Sequence, residues 1–257
     1  MNPLGGPEGG RAPMSASVQQ ICRYPVKGLH GETLEQVTLT AGQGLPDDRR
    51  YAVAYGLGTG ARPGFFQLTE EERLAQLRVA YDPEGPTLTI SRQGRQVVTA
   101  DPSDMTGRML LNQFFAGFLM GSPRGTPSFQ DSEESGRAEA LPNPISIINL
   151  ASLRDFERVA RQPVDPRRFR GNLLVDGLPA WREFTWLDRE IRIGSARLKI
   201  VERIERCAAT NVNPDTAERD MNIPLTLRKG FGHIDMGVYA EVVDGGTVNT
   251  GDEVAEI

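Results

Sequence analysis

A chain of 257 residues is long enough for one large β-rich domain or two ordinary ones, with a sizeable buried core. With 28 Gly, 18 Pro, 39% hydrophobic and 25% charged residues it reads as globular and rich in turns, and its net charge of −5 leaves no electrostatic footprint for nucleic acid or an anionic membrane. Two cysteines, Cys22 and Cys207, and two histidines, His30 and His233, are too few for a four-cysteine zinc site, a protein-borne iron–sulfur cluster, a three-histidine zinc site or a disulfide scaffold.

The opening stretch MNPLGGPEGGRAPMSAS has no apolar signal core, so residues 1–17 are expected to form a disordered tail and the location to be cytoplasmic. Short β-branched or aromatic runs then follow between Gly, Pro and Asp: Val18 to Ile21, Leu34 to Thr40, Tyr51 to Tyr55, Leu77 to Tyr81, Thr87 to Ser91 and Gln96 to Thr99. Their length and spacing predict strands of a barrel or curled sheet. After Asp104 the period changes, and Leu110, Leu111, Phe114, Phe115, Phe118 and Leu119 form the core-facing stripe of a helix. This is also the most apolar stretch of the chain, yet Asn112 and Gln113 interrupt it and it falls short of a membrane span.

Residues 122–142 are polar and without period, and are expected to be a flexible connection between a domain at 18–121 and a second at 143–257. Ile145 to Ile148 predicts a buried strand, and Asn149 the N-cap of a helix with Leu150, Leu153, Phe156 and Ala160 on one face. Leu173 to Val175, Glu190 to Ile193, Ala196 to Val201 and Val238 to Val243 predict further strands, the last leading into a terminal hairpin turned at Asp244-Gly245-Gly246. The fold class expected is mainly β with a few helices.

Candidate chemistry centres on ERCAATNVNPDTAERD, Glu205 to Asp220, where Arg203 and Arg206 precede Cys207. Cations favour the thiolate, the form that attacks an electrophile or binds a soft metal. An inert cysteine at the end of a strand is the other reading; Cys22, inside a strand pattern, reads as core. Lys27 in RYPVKGLHGE, Arg49 beside Asp48 at the strand entry of GLPDDRRYAVAY, and Arg170, Gly171 and Asn172 in RRFRGNLLVDG offer anion-binding groups at strand ends. There a glycine would let backbone approach a ligand.

ERCAATNVNPDTAERD, followed by GHIDMGVYAEVVDGGTVNTGDEV, strongly resembles the MOSC domain, named after the C-terminal part of molybdenum cofactor sulfurases. RYPVKG, GLPDDRRYAV and FFQLTEEERLAQL resemble the β-barrel domain that precedes MOSC in the mitochondrial amidoxime-reducing component and its bacterial relatives. The resemblance runs from about Val18 to Ile257 and implies an N-terminal β-barrel-like domain packed on a MOSC β-barrel domain. It implies that Cys207 binds molybdenum beside the dithiolene of a pterin, and that Lys27, Arg49, Arg170 and Asn172 hold that molybdenum cofactor, chiefly its phosphate, with Arg206 and Thr210 flanking the metal ligand. Gly28 departs from the Ser of the animal reductases, and Pro142 and Asn143 from their Thr-Ser pair.

The implied activity is reduction of N-hydroxylated compounds, with electrons from a separate ferredoxin or flavoprotein, since no four-cysteine ferredoxin domain is present. Neither is a pyridoxal-phosphate desulfurase region, so pyridoxal phosphate binding attaches to the family by association only. The alternatives are a sulfur carrier or sulfurtransferase with a persulfide on Cys207, and a cofactor carrier without turnover. Asp215 and His233 stand near the motif as candidate proton donors, with a structural role the expectation for both.

Overall fold

The computed structural model describes residues 16–56, 64–131 and 144–257. Most of the expected tail, the greater part of the polar connection, and Pro142 and Asn143 lie outside these residues. In chain order the strands of the first half are β1 (Ser17–Arg23), β2 (Glu32–Leu34), β3 (Gln36–Leu39), β4 (Tyr51–Tyr55), β5 (Gly64–Phe65), β6 (Leu77–Asp82), β7 (Thr87–Arg92), β8 (Arg95–Ala100) and β9 (Ser128–Asp131). The second half supplies β10 (Ile145–Asn149), β11 (Leu173–Asp176), β12 (Glu190–Ile193), β13 (Ala196–Glu205), β14 (Asp235–Asp244), β15 (Gly246–Asn249) and β16 (Val254–Glu256). The helices are α1 (Met105–Phe118), α2 (Leu150–Ala160) and α3 (Ile223–Phe231). Strands dominate, so the fold class is mainly β with a few helices, as expected.

The largest sheet has eight strands in the order β16-β12-β13-β14-β10-β11-β1-β2. Its only parallel pair, β10 with β11, needs a crossover, and α2 supplies it. Strand β10 is buried along its whole length because both faces are covered. Ile147 joins Val18, Leu198 and Val238 on one side, while Ile148 joins Leu153, Phe156, Leu227 and Met236 of the helical layer on the other. A separate core in the N-terminal half gathers the meander β6-β7-β8, strand β4, the α1 residues Leu111 and Phe115, and Leu119 at its C-cap. Helix α1 starts where Asp104 accepts hydrogen bonds from the Thr106 and Gly107 amides, a side-chain N-cap. Leu110 of the predicted stripe is on the exposed side instead.

Three expectations are corrected. Leu34 to Thr40 is two strands in different sheets: β2 pairs with β1, and β3 with β15. The terminal hairpin does not form, because β15 leaves β14 and pairs with β3. Gly245 and Gly246 serve a close passage: an added Cβ at Gly246 would lie 2.5 Å from the Ser195 carbonyl carbon, and one at Gly245 2.7 Å from the Leu39 oxygen. Finally, Ser128–Asp131, within the stretch read as a flexible connection, is paired with β4. Long-range pairings such as β1 with β11 and β3 with β15 fasten the N-terminal segment to strands of the second half and help fix how the loops described next meet.

Candidate functional site

Strand β13 ends by delivering Cys207 to a 3₁₀ turn, Ala208–Asn211. The alternation at this end puts Ile204 and Arg206 inside and leaves Glu205 and Cys207 exposed. Thr210 fixes the turn, for its backbone N–H and its Oγ1 both donate to the Cys207 carbonyl, at 3.1 and 2.8 Å. Arg206 fixes the strand end: Nε and Nη2 donate to the Met236 carbonyl, the former at 2.9 Å, and Nη1 donates to the Phe169 carbonyl at 2.9 Å. Burial pushes the Arg206 guanidinium down to about 10. Cys22 is buried as expected, and desolvation pushes its thiol up to about 11.

Phe169 immediately precedes Arg170, so Arg206 ties the cysteine-bearing strand to a second loop. Arg170 and Arg49 both take left-handed backbone conformations, φ 52 and 57, uncommon for residues with a Cβ. Both guanidinium groups lie over one ring, Tyr24, at 4.4 and 5.2 Å from its centroid. Arg49 Nη2 donates to the Arg170 carbonyl at 3.0 Å, and Arg170 donates to the Leu29 carbonyl. Asp48 is buried, accepts from the Tyr24 amide at 2.7 Å and pairs with Arg49. Burial, and after it the neighbouring Arg49 charge, push Arg170 down to about 10. Tyr239, Cys207, Arg49 and Tyr24 each contribute to the electrostatic surroundings of Arg206.

The structure thus sets Arg49 and Arg170 on the Tyr24 ring, and Arg206, one residue before Cys207, ties that strand end to the loop of Arg170 through the Phe169 carbonyl. Lys27 stands on the same stitched backbone, its N–H donating to the Tyr51 carbonyl at 2.8 Å, while its ammonium lies over the Phe65 ring at 5.4 Å. Asn172 has a different place. It is fully buried, its Oδ1 accepts from the Ser146 amide and hydroxyl at 3.0 and 2.7 Å, and its Nδ2 donates to the Cys22 carbonyl at 3.2 Å. Its amide therefore pins β1, β10 and β11 together. Gly171 likewise admits protein rather than ligand, since a Cβ there would stand 2.4 Å from Cγ1 of Ile148.

Sequence reasoning missed Tyr24, whose signal was an aromatic between Arg23 and Pro25 in RYPVKG. It also missed how the loop after Cys207 is held. His30, buried, donates from Nε2 to the Pro214 carbonyl at 2.7 Å. Asp215 accepts two bonds from Arg167, at 3.1 and 2.7 Å, and one from Arg78 at 2.9 Å, and the Arg167 hydrogen bond holds its carboxyl below the usual range. Asp215 is therefore an ion-pair anchor rather than a proton donor. Arg168 spans both Asp220 oxygens at 2.7 and 2.8 Å and the Asn211 carbonyl at 3.1 Å. Between Gly28, His30, Arg168, Arg170, Ala209 and Pro214 remains a cavity of about 10 Å³, the space of one water. The arrangement offers an exposed thiol beside a partly buried, net cationic cluster, chemistry suited to a soft electrophile or metal together with an anion.

Among the described residues no helix is long and apolar enough to cross a membrane. A stretch of 127 residues is 31% identical to mitochondrial amidoxime reducing component 2 of Bos taurus, covering 45% of this chain and 37% of that relative. Over 93% of this chain and 82% of the relative, it is 24% identical to mitochondrial amidoxime-reducing component 1 of Homo sapiens. It is also 24% identical to molybdenum cofactor sulfurase of Caenorhabditis elegans over 88% of this chain and 33% of that one. Residues 15–116 match the MOSC N-terminal beta barrel domain and residues 134–255 the MOSC domain, so the chain belongs with the proteins that carry these two domains in this order.

Proposed function

We propose that this chain binds a molybdenum cofactor and reduces N-hydroxylated compounds with electrons from a separate partner protein. The observation that carries the reading is the exposed Cys207 thiol held, through Arg206, against a cluster in which Arg49 and Arg170 share one aromatic ring. Two like charges packed on one ring, with Asp48 the carboxylate paired there, repel each other and lose hydration. A phosphate monoester offsets both costs, and a guanidinium meets it with two parallel hydrogen bonds. Among the described residues no group of three His, Cys, Asp or Glu could hold a metal, so a metal at Cys207 would draw its other ligands from the cofactor. The residues present fit such a group: one soft thiolate, and cations for its phosphate.

In this reading Cys207 ligates the metal, and Arg49, Arg170 and Lys27 take the phosphate end. Arg206, Thr210 and Asn172 hold the backbone from which those groups project. When bound, the cofactor supplies the two-electron redox change. Each N–OH reduced consumes two electrons and two protons and releases water, so the reaction centre must be open to solvent protons, and the exposure of Cys207 is consistent with that.

The test is elemental analysis with pterin fluorescence after oxidation, on protein made in a cofactor-competent host. Near-stoichiometric molybdenum and pterin are expected, falling at least tenfold in an Arg49→Met, Arg170→Met double variant. Absence of both from the folded parent protein sinks the reading. Loaded protein is expected to reduce benzamidoxime with an artificial donor, and Cys207→Ala to abolish that reduction. Sulfur transfer is the second reading, favoured by the exposure of Cys207 and by the relative named as a cofactor sulfurase. It predicts a gain of one sulfur mass on Cys207 after incubation with a cysteine desulfurase.

A further inference from the structure

A group of rings gathers where β13 and β14 meet at Cys207. Glu205 pairs with Asp235, and the Arg206 N–H donates to the Ile234 carbonyl at 3.0 Å. Cys207, which opens its 3₁₀ turn, and His233, in the bend that precedes β14, each lie one residue from that bond. The imidazole is seated on three other rings: the edges of Trp181 and Phe184, each with centroids 5.4 Å away, and Phe231 at 6.1 Å. Trp181 in turn packs on Phe231 at 4.6 Å. Trp181, Phe231 and His233 are half-buried, so this cluster has an accessible side.

Its central member is held against local preference. Trp181 has φ 64 and ψ 9, a conformation strained for a bulky side chain. Three elements keep it there: its N–H donates to Ser152 Oγ at 2.8 Å, its indole Nε1 donates to Asp155 at 2.8 Å, and its ring rests on α3 through Phe231. Ser152 Oγ is itself oriented by the fully buried Glu183 at 2.7 Å. His233 is oriented as well, since its Nδ1 accepts the Asp235 N–H at 3.1 Å, which leaves the proton on Nε2. The result beside the exposed thiol is a rigid aromatic surface carrying one N–H donor. Such a surface matches a flat conjugated group with an acceptor at its edge.

We propose that Trp181, Phe231 and His233 form the substrate-recognition wall of the Cys207 site and select a planar aromatic substrate over an aliphatic one. The proposal rests on Cys207 as the reaction centre but not on the redox reading. The full chain, made in a cofactor-competent host, is titrated with benzamidoxime and acetamidoxime while tryptophan fluorescence is followed. Its two tryptophans are Trp181 and the buried Trp186, so Trp181→Phe assigns the signal.

Saturable quenching by benzamidoxime is expected, with at least tenfold weaker binding of acetamidoxime. Phe231→Leu, which removes one ring at nearly constant volume, is expected to weaken benzamidoxime about tenfold and so close most of that gap. Equal affinity for the two probes, no quenching by either, quenching that survives Trp181→Phe, or a gap untouched by Phe231→Leu overturns the wall. Binding through Trp181 by protein that carries no molybdenum supports the wall while refuting the reductase reading. Reduction of both amidoximes with a KM ratio indifferent to Phe231→Leu refutes the wall and leaves the reductase reading standing.

Discussion

His30 makes the fold sensitive to acid between the ordinary imidazole range and its own lowered one. Its ring is buried, Nε2 donates to Pro214, and its backbone is bonded on both sides, to Leu77 at 3.0 Å and Val79 at 3.1 Å. Burial, and then the Arg170 charge, push the imidazole down from 6.5 to about 4; Arg78 and Arg167 act in the same direction, and the Pro214 bond opposes them. Between these values the unfolded chain binds a proton that the folded chain refuses. The contribution of His30 is therefore fully present above pH 6.5 and is lost as pH falls towards 4. A shift of that size corresponds to about 3 kcal/mol, a large share of an ordinary domain's stability.

Urea denaturation from pH 8 to pH 4 measures this loss. The comparison that isolates it is His30→Gln, whose side-chain amide can still donate towards Pro214 but does not titrate. The variant is expected to start somewhat less stable at pH 8 and to show a slope between pH 6.5 and 4 smaller by about 3 kcal/mol in total. Carboxylates such as Asp215 and Asp220, whose ionised forms the fold favours, lose their contributions at lower pH in both proteins and cancel in the difference. Identical slopes for the two proteins across the window would refute the reasoning.

The two thiols should part company under an alkylating agent at neutral pH. Cys207, exposed, takes one label per folded chain, while Cys22, buried and with its thiol pushed up to about 11, is labelled only after unfolding. Intact mass before and after denaturation reads this directly, and two labels on the folded chain would contradict the burial. Arg206→Lys keeps the charge but cannot reach the Met236 and Phe169 carbonyls in the same fork geometry, and is expected to cost about 2–4 kcal/mol in urea denaturation. A cost below about half a kcal/mol, within the range of neutral surface changes, would show that those bonds do not hold the strand end.

The local grammar of the fold was legible because it depends on neighbours in sequence. Asp104 and Asn149 cap α1 and α2 as their side chains allow, and the run Ile145 to Ile148 is buried on both faces as its lack of polar alternation suggests. Helix α3 was passed over although Asn222, Pro224 and Gly232 mark its ends, because its nine residues show too short a periodic stripe. Gly245 and Gly246 misled for another reason. Glycine serves tight turns and close backbone passages alike, and only the distant partners Leu39 and Ser195 decide between them.

The site divides in the same way. That Cys207, Arg49 and Arg170 stand where strands meet loops follows from periodicity, and the structure sets the two arginines on one ring. That Asn172 and Arg206 spend their polar atoms inside the protein depends on Ser146, Cys22, Phe169 and Met236, none of them adjacent in sequence.

The arginines explain how so irregular a site can be rigid. Loops that meet without a regular ladder bury carbonyl oxygens that no strand satisfies, and each orphan is costly. A guanidinium has five donors in a fixed plane, so one side chain can bind carbonyls of two segments and set their separation; an ammonium on a flexible stem cannot. Arg206 joins Met236 to Phe169 in this way, Arg49 reaches Arg170, Arg170 reaches Leu29, and Arg219 joins Ala208 to Leu68 at 3.1 and 2.8 Å. Scaffolding and electrostatics then come from the same residues. The stitches that hold the loops around Cys207 leave positive charge concentrated beneath an exposed thiol, even though the chain as a whole carries −5.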